Sequence, residues 1–337
     1  MAKKTRVTLA EIAHAAGVSV PTVARILAGG NKETWPSAAK RAEKVRTIAR
    51  ELGYRPDHSA RSLASRRSDC VALAFGAEEP LVAGLYAPVF QHAIAELAQR
   101  GYDLLPVRII GSEDQWSRKL IDNRVAGILV MQPVPEALAD LVEHYDIPSV
   151  LINIHHERLS APQLLFDDAA GMDQAVGHLH EFGHRHLVYL NSVSDDPDQG
   201  HYHLAARRDA FMASCQRFGI TGVVDSGTVG DLLERLDPQV KGVICRTDDQ
   251  AVNLIHSCHQ RGIGVGTDLS IIGFNDEAMA QQVYPRLTSV RVPIRQMAHR
   301  AIDLLLTAVE SDTLPKAGVE YLPETLQARA STGPVPS

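Results

Sequence analysis

Residues 8–27 read TLAEIAHAAGVSVPTVARIL, and this stretch decides the architecture of the N-terminal end. Thr8 and Glu11 have the spacing of a capping box, in which the threonine oxygen accepts from a backbone N–H at the helix start and the glutamate reaches back. Leu9, Ile12, Ala13 and Ala16 follow at helical spacing and predict one apolar face, with Gly17 as the stop. Ser19 is a natural N-cap for a second helix whose Val23, Ile26 and Leu27 face inward. Pro21 falls in its first turn, where the missing N–H has no intrahelical partner to lose. Two short helices around a Gly-Val-Ser turn predict a helix-turn-helix. A third helix, with Ser37 as its expected cap and Gly53 as its stop, carries Val45, Ile48, Ala49 and Leu52 on one face.

The charge of the 337 residues divides at the same place. Residues 1–68 hold 14 Lys+Arg against 5 Asp+Glu, a net of +9, and the other 269 hold 20 against 35, a net of −15. A basic segment with its own apolar periodicity reads as a nucleic-acid module, and the acidic remainder is long enough for two ordinary domains. At 45% hydrophobic and 22% charged the chain has the composition of a globular protein, which disfavours disorder, collagen-like repeats and a disulfide scaffold. No apolar run approaches the roughly 20 residues of a membrane span. The start MAKKTRVTLAEIA lacks the apolar region of a secretion signal. Cys70, Cys215, Cys245 and Cys258 have no zinc-like spacing, so isolated thiols in a reducing compartment, and a cytoplasmic, nucleoid-associated protein, are expected.

From Cys70 onward β-rich runs alternate with helical patterns. Val71–Phe75, Leu104–Val107, Val125–Met131, Pro148–Ile154, Leu187–Leu190, Val240–Cys245 and Leu269–Phe274 read as strands. Ala87–Arg100, Gly171–Phe182, Leu204–Phe218 and Asp249–Arg261 read as helices between them. About ten such strands exceed one comfortable core. The expected fold is therefore an all-α helix-turn-helix headpiece followed by an α/β core of two doubly wound parallel-sheet subdomains, with a ligand beyond the strand C-ends.

Residues 7–64 resemble the headpiece of the lactose-repressor (LacI/GalR) family of bacterial transcription regulators, through VTLAEIAHAAGVSVPTVARIL, EKVRTIARELGYRP and ARSLAS. The resemblance continues in family order through FDDAAG, HLHEFGHRHLVYL, AARRDAF, RTDDQA, LSIIGFNDE and PRLTSVRVPI. The segment Ala28–Pro36 is a few residues longer than usual. The resemblance implies a homodimeric repressor with a periplasmic-binding-protein-like core, no cofactor and no catalysis, on an inverted-repeat DNA operator. Its implied divisions are a headpiece over 1–57 and a hinge helix and linker over 58–69. The core N-subdomain takes 70–165 and 291–320, the C-subdomain takes 166–290 and 321–331, and 332–337 form a flexible tail.

On the DNA side, the resemblance assigns base reading to Val20 and Pro21, followed by Thr22 and Arg25. Arg25 is the one residue there able to grip guanine O6 and N7 bidentately, whereas Val20 and Pro21 read by shape or thymine-methyl contact, or simply pack. Thr8, Leu9, Ser19 and Tyr54 fall at the operator contacts, the hydroxyls among them suited to phosphate. Lys3, Lys4 and Arg6 add salt-dependent attraction. In the hinge, Ala60, Arg61 and Leu63 match a minor-groove helix, with Leu63 as the wedge between central base pairs or, alternatively, packed within the linker.

On the core side, the implied effector site takes Tyr86, Asp167, Arg207, Thr247 and Asn275, with a sugar or sugar acid as ligand. An arginine suits a carboxylate, phosphate or hydroxyl pair; the ordinary alternative for Arg207 is a surface ion pair with Asp209 or a neighbour. Asn275-Asp276 and Thr247-Asp248 depart from the family's usual residues, exchanging a carboxylate for an amide and an amide for a hydroxyl. His201 and His203 either line the cleft or face solvent. His178, His180, His184 and His186 resemble a metal cluster in spacing alone, and Gly262-Ile263-Gly264-Val265-Gly266 follows a helix, so it reads as a turn. GxSxG, Walker and HExxH motifs are missing from the sequence. The competing class is a ligand-independent architectural DNA-binding protein.

Overall fold

The computed structural model describes residues 7–27, 35–54, 68–76, 86–110, 112–121, 125–131, 135–191 and 202–335. They divide into two compact units, Met1–Arg67 and Ser68–Ser337.

Among the described residues the first unit contains three helices, α1 (Leu9–Ala16), α2 (Val20–Leu27) and α3 (Pro36–Glu51). Both halves of the Thr8/Glu11 capping box are formed: Thr8 N donates to Glu11 Oε2 at 2.7 Å, and Glu11 N donates to the threonine hydroxyl at 3.3 Å. Gly17 closes α1 in the left-handed region at φ 72°, which a residue without Cβ adopts at no steric cost. Ile12, Ala13, Ala16, Val23, Ile26, Ala42, Val45 and Ala49 form the buried core, one stripe from each helix. Lys44 Nζ donates to Ala16 O at 3.1 Å, bringing a cation to the C-terminal end of α1, where the helix dipole favours one. The third helix begins before the expected Ser37 cap. Trp35 stands at the N-cap with no side-chain hydrogen bond, since its indole N–H can only donate, and Pro36 supplies the preset φ of a first helical residue.

The second unit is built on two six-stranded sheets. The first takes β1 (Cys70–Phe75), β2 (Asp103–Arg108), β3 (Gly127–Met131), β4 (Ser149–Ile152) and β5 (Pro162–Phe166), with β11 (Gly318–Leu322) added late. The second takes β6 (His186–Leu190), β7 (Thr221–Asp225), β8 (Gly242–Cys245), β9 (Ser270–Asn275), β10 (Thr288–Arg291) and β12 (Thr325–Gln327). Their orders, β2-β1-β3-β4-β5-β11 and β7-β6-β8-β9-β10-β12, are the same doubly wound pattern written twice, and β12 alone runs antiparallel to its neighbour. The helices between strands are α4 (Tyr86–Gln99), α5 (Glu113–Ile121), α6 (Glu136–His144), α7 (Asp168–Glu181), α8 (Tyr202–Phe218), α9 (Val229–Arg235), α10 (Asp248–Gln260), α11 (Ala278–Gln282) and α12 (Ile294–Ser311).

Strands covered on both faces must be apolar at every position, and alternation then deals successive residues to opposite cores. Val71 and Leu73 pack with α4 and α12 on one side of the first sheet, while Ala72 and Ala74 pack with Trp116 and Leu138 on the other. In the second sheet Val188 and Leu190 join one core and Leu187 and Tyr189 the other. The chain crosses between sheets three times, after β5, after β10 and between β11 and β12.

Of the flexible tail expected over 332–337, residues 332–335 are described, and they correct that expectation. Ser331, Thr332 and Gly333 are buried against the second sheet, where Gly333 N donates to Ser270 Oγ at 3.1 Å and Val335 N to Phe182 O at 3.0 Å. A run rich in Ser, Thr, Gly and Pro looks mobile by composition, yet its backbone groups are paired within the fold.

Candidate functional site

In the helix-turn-helix unit, packing leaves one face of α2 outward. Val23 and Ile26 are buried, whereas Ser19, Val20, Pro21 and Arg25 are exposed and Thr22 is half-buried. Val20 is 41% exposed, so the sequence alternative in which it packs is not the arrangement found. Ser19 and Thr22 share a hydroxyl hydrogen bond of 2.8 Å, and Thr8 stands exposed at the head of α1. Leu9 and Tyr54 sit partly against the core, which gives both a packing role. Ala60, Arg61, Leu63, Lys3, Lys4 and Arg6 lie outside the described residues.

In the second unit, the C-ends of the strands carry an unusual density of buried polar groups. Arg207, on α8, is 2% exposed. Its Nε donates to Asp168 Oδ1 at 2.5 Å, its Nη1 to Arg246 O at 3.0 Å, and its Nη2 lies 3.7 Å from Glu324 Oε1. The guanidinium also lies over the Phe274 ring, 4.2 Å from the centroid. The sequence alternative for this residue falls to its neighbour instead: Arg208 makes the surface pair with Asp209, at 2.9 Å.

One cation here faces two carboxyls. Burial pushes Asp168 and Glu324 above the usual carboxylate range while Arg207 pulls both back, and Glu324, the more distant, ends at about 8. Glu324 therefore holds its proton at neutral pH. Glu324 stands on the crossing between β11 and β12, with Gln174 of α7 bracketing it: Gln174 Nε2 donates to Glu324 O at 3.0 Å and Gln174 Oε1 accepts from Leu326 N at 3.0 Å. Beneath it lies Gly171, where a Cβ would stand 1.9 Å from Glu324 Oε2.

A second cluster lies beside the first. Asp248 accepts from Ser289 Oγ at 2.5 Å and from Glu277 N at 2.6 Å, and burial raises its pKa to about 7 against these two bonds. Asn275, in the left-handed region at φ 100°, donates from Nδ2 to Glu277 Oε1 at 3.2 Å. Asp276 takes Arg291 Nη2 at 2.7 Å and Arg329 Nη2 at 2.6 Å.

Of the expected effector residues, Arg207 and Asn275 come into these clusters, and Thr247 sits beside them as the N-cap of α10, accepting from Gln250 N at 3.3 Å. Asp167 caps α7, accepting from Ala170 N at 3.0 Å, and lines a cavity of about 270 Å³ with Asp168, Tyr202 and Tyr321. Tyr86 is the first residue of α4. His203 is half-buried in the first turn of α8, and His201 lies outside the described residues. Three of the four clustered histidines have structural partners: His178 Nε2 bonds Thr332 Oγ1 at 2.9 Å, His184 Nε2 bonds Gly333 O at 3.1 Å, and His180 packs on Phe218. Sequence reasoning missed Asp168, Glu324, Asn153 and Asn191. The positions of the last two, just past the ends of β4 and β6, were the available signal.

At the switch point of the first sheet, between β1 and β3, Phe75, Gly76, Ile109, Met131 and Pro135 line an apolar cavity of about 280 Å³. Ligands of doubly wound sheets collect at this place.

Residues 8–57 match the family model described as bacterial regulatory proteins, lacI family, and residues 176–332 match that of a periplasmic binding protein-like domain. The chain is 30% identical to the HTH-type transcriptional regulator GalR of Escherichia coli (strain K12), over 97% of this chain and 96% of that one. It belongs to the lacI family of bacterial regulatory proteins. Among solved structures, the Lac repressor dimer bound to operator and the anti-inducer ONPF superposes with a TM-score of 0.81 at 21% identity, covering 98% of this chain and 100% of that one. The transcriptional regulator CelR–cellobiose complex superposes with a TM-score of 0.67 at 23% identity, covering 97% and 100%. As a lacI-family member the protein is a DNA-binding transcriptional regulator. Among the described residues no helix is long and apolar enough to cross a membrane.

Proposed function

We propose that the protein is a cytoplasmic, homodimeric repressor that binds an inverted-repeat operator and responds to a small-molecule effector, a sugar or sugar acid, held between the two core subdomains. Val20, Pro21, Thr22 and Arg25 read the major groove, Thr8, Leu9, Ser19 and Tyr54 contact the backbone and its surroundings, and Ala60, Arg61 and Leu63 enter the minor groove. On the effector side Arg207, Thr247, Asn275, Asp167 and Tyr86 surround the ligand.

The observation that carries the effector reading is where buried polar atoms lack protein partners. Asn153 Nδ2 and Oδ1, Asn191 Oδ1, Asn275 Oδ1 and Asp168 Oδ2 have none among the described residues, and all stand at strand C-ends. A buried polar atom left unpaired costs roughly 1–3 kcal/mol, so a fold that concentrates them at one level is suited to a polar ligand. A thermal-shift screen of sugars, sugar acids and nucleobases on the full chain tests this, because a ligand specific to the folded state raises its midpoint. The expected result is a shift with a sugar-like compound that also alters operator affinity; a ligand that shifts the midpoint and leaves operator affinity unchanged contradicts the regulatory reading.

A further inference from the structure

The helix-turn-helix unit holds one large side chain that its packing does not explain. Trp35 is 73% exposed and stands at the N-cap of α3, a position that favours Ser, Thr, Asp or Asn because their oxygens accept from the first turn. An indole offers only a donor, so Trp35 gives the helix no cap, and it takes no part in the core of the unit. Departures from a local rule that bring no structural return concentrate at functional sites.

The surroundings of the ring are cationic. Lys40 and Arg41, in the next turns of α3, are exposed and enter no ion pair among the described residues, whereas Glu43 is held by Arg46 and Arg50. The head of a 16-residue helix adds the positive end of its dipole, and residues 1–68 carry the net charge of +9. A polyanion with apolar surface between its charges suits such a place. The indole face can lie on deoxyribose while its N–H donates to a phosphate oxygen.

Length places the ring relative to the groove. At 16 residues α3 is about 24 Å long, twice the roughly 12 Å width of the major groove, and Tyr54 and Trp35 stand at its opposite ends. With α2 seated in the groove and Tyr54 at one wall, the head of α3 is carried toward the other.

Resting on the reading that α2 enters the major groove, we propose that Trp35 is a further DNA-contacting residue, lying against the sugar–phosphate backbone that borders each half-site. It adds an apolar contact beside the salt-dependent ones and widens the footprint beyond α2.

Trp35 and Trp116 are the chain's only tryptophans, and Trp116 is 4% exposed, so the full-length protein carries its own reporter. Acrylamide quenching of the emission is measured with and without the inverted repeat that the protein selects, a test that needs no variant. The operator is expected to shield the ring and lower the quenching constant, and W35F to show no such change. In binding titrations W35A should weaken operator affinity at least about tenfold, equivalent to about 1.4 kcal/mol, with W35F recovering part of the loss. The slope of log Kd against log salt should stay as in the wild type, since no charge is removed, whereas K40A should reduce it by about one. A ring as accessible on the operator as off it overturns the inference, as does W35A with wild-type operator affinity. W35A that shifts the monomer–dimer balance without DNA and binds operator normally gives the ring to a second copy and also overturns it. R25A separates this inference from the reading beneath it: if neither R25A nor W35A weakens binding, the placement of α2 fails, and if R25A alone does, Trp35 alone is misassigned.

Discussion

The guanidinium of Arg207 and the carboxylate of Asp168 meet at 2.5 Å, each side chain 3% exposed. The two residues come from different helices of the same subdomain, α8 and α7, and Glu324 reaches them from the crossing that leads back from the other sheet. A charged pair so deep is weak evidence for stability by itself, since desolvation offsets much of the attraction. Its value lies in placement: Arg207, Asp168 and Glu324 together join the strand-end side of the subdomain to the crossing between the sheets.

Breaking the pair exposes this dependence. Arg207→Met leaves two carboxyls buried without their cation, and the expected loss is about 3 kcal/mol, near the lower end for an uncompensated buried partner. Urea unfolding followed through the core transition measures it; a loss below about 0.5 kcal/mol means that the pair contributes as an exposed one does.

The raised pKa values set a pH dependence with a definite sign. Burial lifts Glu324 to about 8 and Asp248 to about 7, both above their unfolded values, so between those limits the native state binds more protons than the unfolded chain. Their contribution is fully present below about pH 4, near the unfolded carboxyl values, and is lost as pH rises through 7 and 8. The midpoint of thermal unfolding should fall from pH 6 to pH 9, and E324Q should flatten the upper part of that slope. A midpoint that rises across the interval contradicts the assignment.

Gly171 should resist substitution for a stated steric reason. Its added Cβ would stand 1.9 Å from Glu324 Oε2 and 2.9 Å from Val290 Cγ1, so G171A must displace the carboxyl from above α7. A cost of about 1–3 kcal/mol is expected, as for other overpacked sites. Combined with Glu324→Ala, the two changes should couple by at least about 0.5 kcal/mol; additive losses in a double-mutant cycle argue that the carboxyl is not the obstacle.

On the DNA side, Arg25→Ala should weaken operator binding by about 1–3 kcal/mol and relax the preference for guanine at one position of each half-site. Selection of bound fragments from a random pool, followed by sequencing, compares it with the wild type. An unchanged guanine preference places the reading elsewhere on α2. Leu63→Ala should weaken operator binding while leaving effector affinity nearly unchanged, and equal operator affinity in a binding titration removes the wedge role.

The helix-turn-helix was legible because its signals are local: a capping box three residues apart, a left-handed glycine, and stripes at three- and four-residue spacing. The doubly wound core was legible in kind, since two-sided burial writes apolar runs, although edge strands such as β7 and β12 carry too little apolar pattern to announce themselves. The site was less so. Asp167 and Asp168 look interchangeable in sequence as helix-start acids, yet one caps α7 and the other turns inward to Arg207. Glu324 sits in LPETLQ, which reads as a polar connection, and its burial depends on Gly171 and Gln174 some 150 residues earlier. Nothing local encodes such a meeting. The C-terminal residues teach the same lesson in reverse, because partners at Ser270, Thr288 and His184 order a segment that composition alone marks as loose.

The central claim is that ligand at the strand ends governs grip on DNA, and one titration addresses it most directly. The full-length protein is titrated onto its selected inverted repeat, at fixed salt, with and without a saturating amount of the compound that raises its thermal midpoint. A change of at least about tenfold in operator Kd, corresponding to about 1.4 kcal/mol of coupling, is the predicted result. Equal Kd values with the ligand bound and absent would contradict the account.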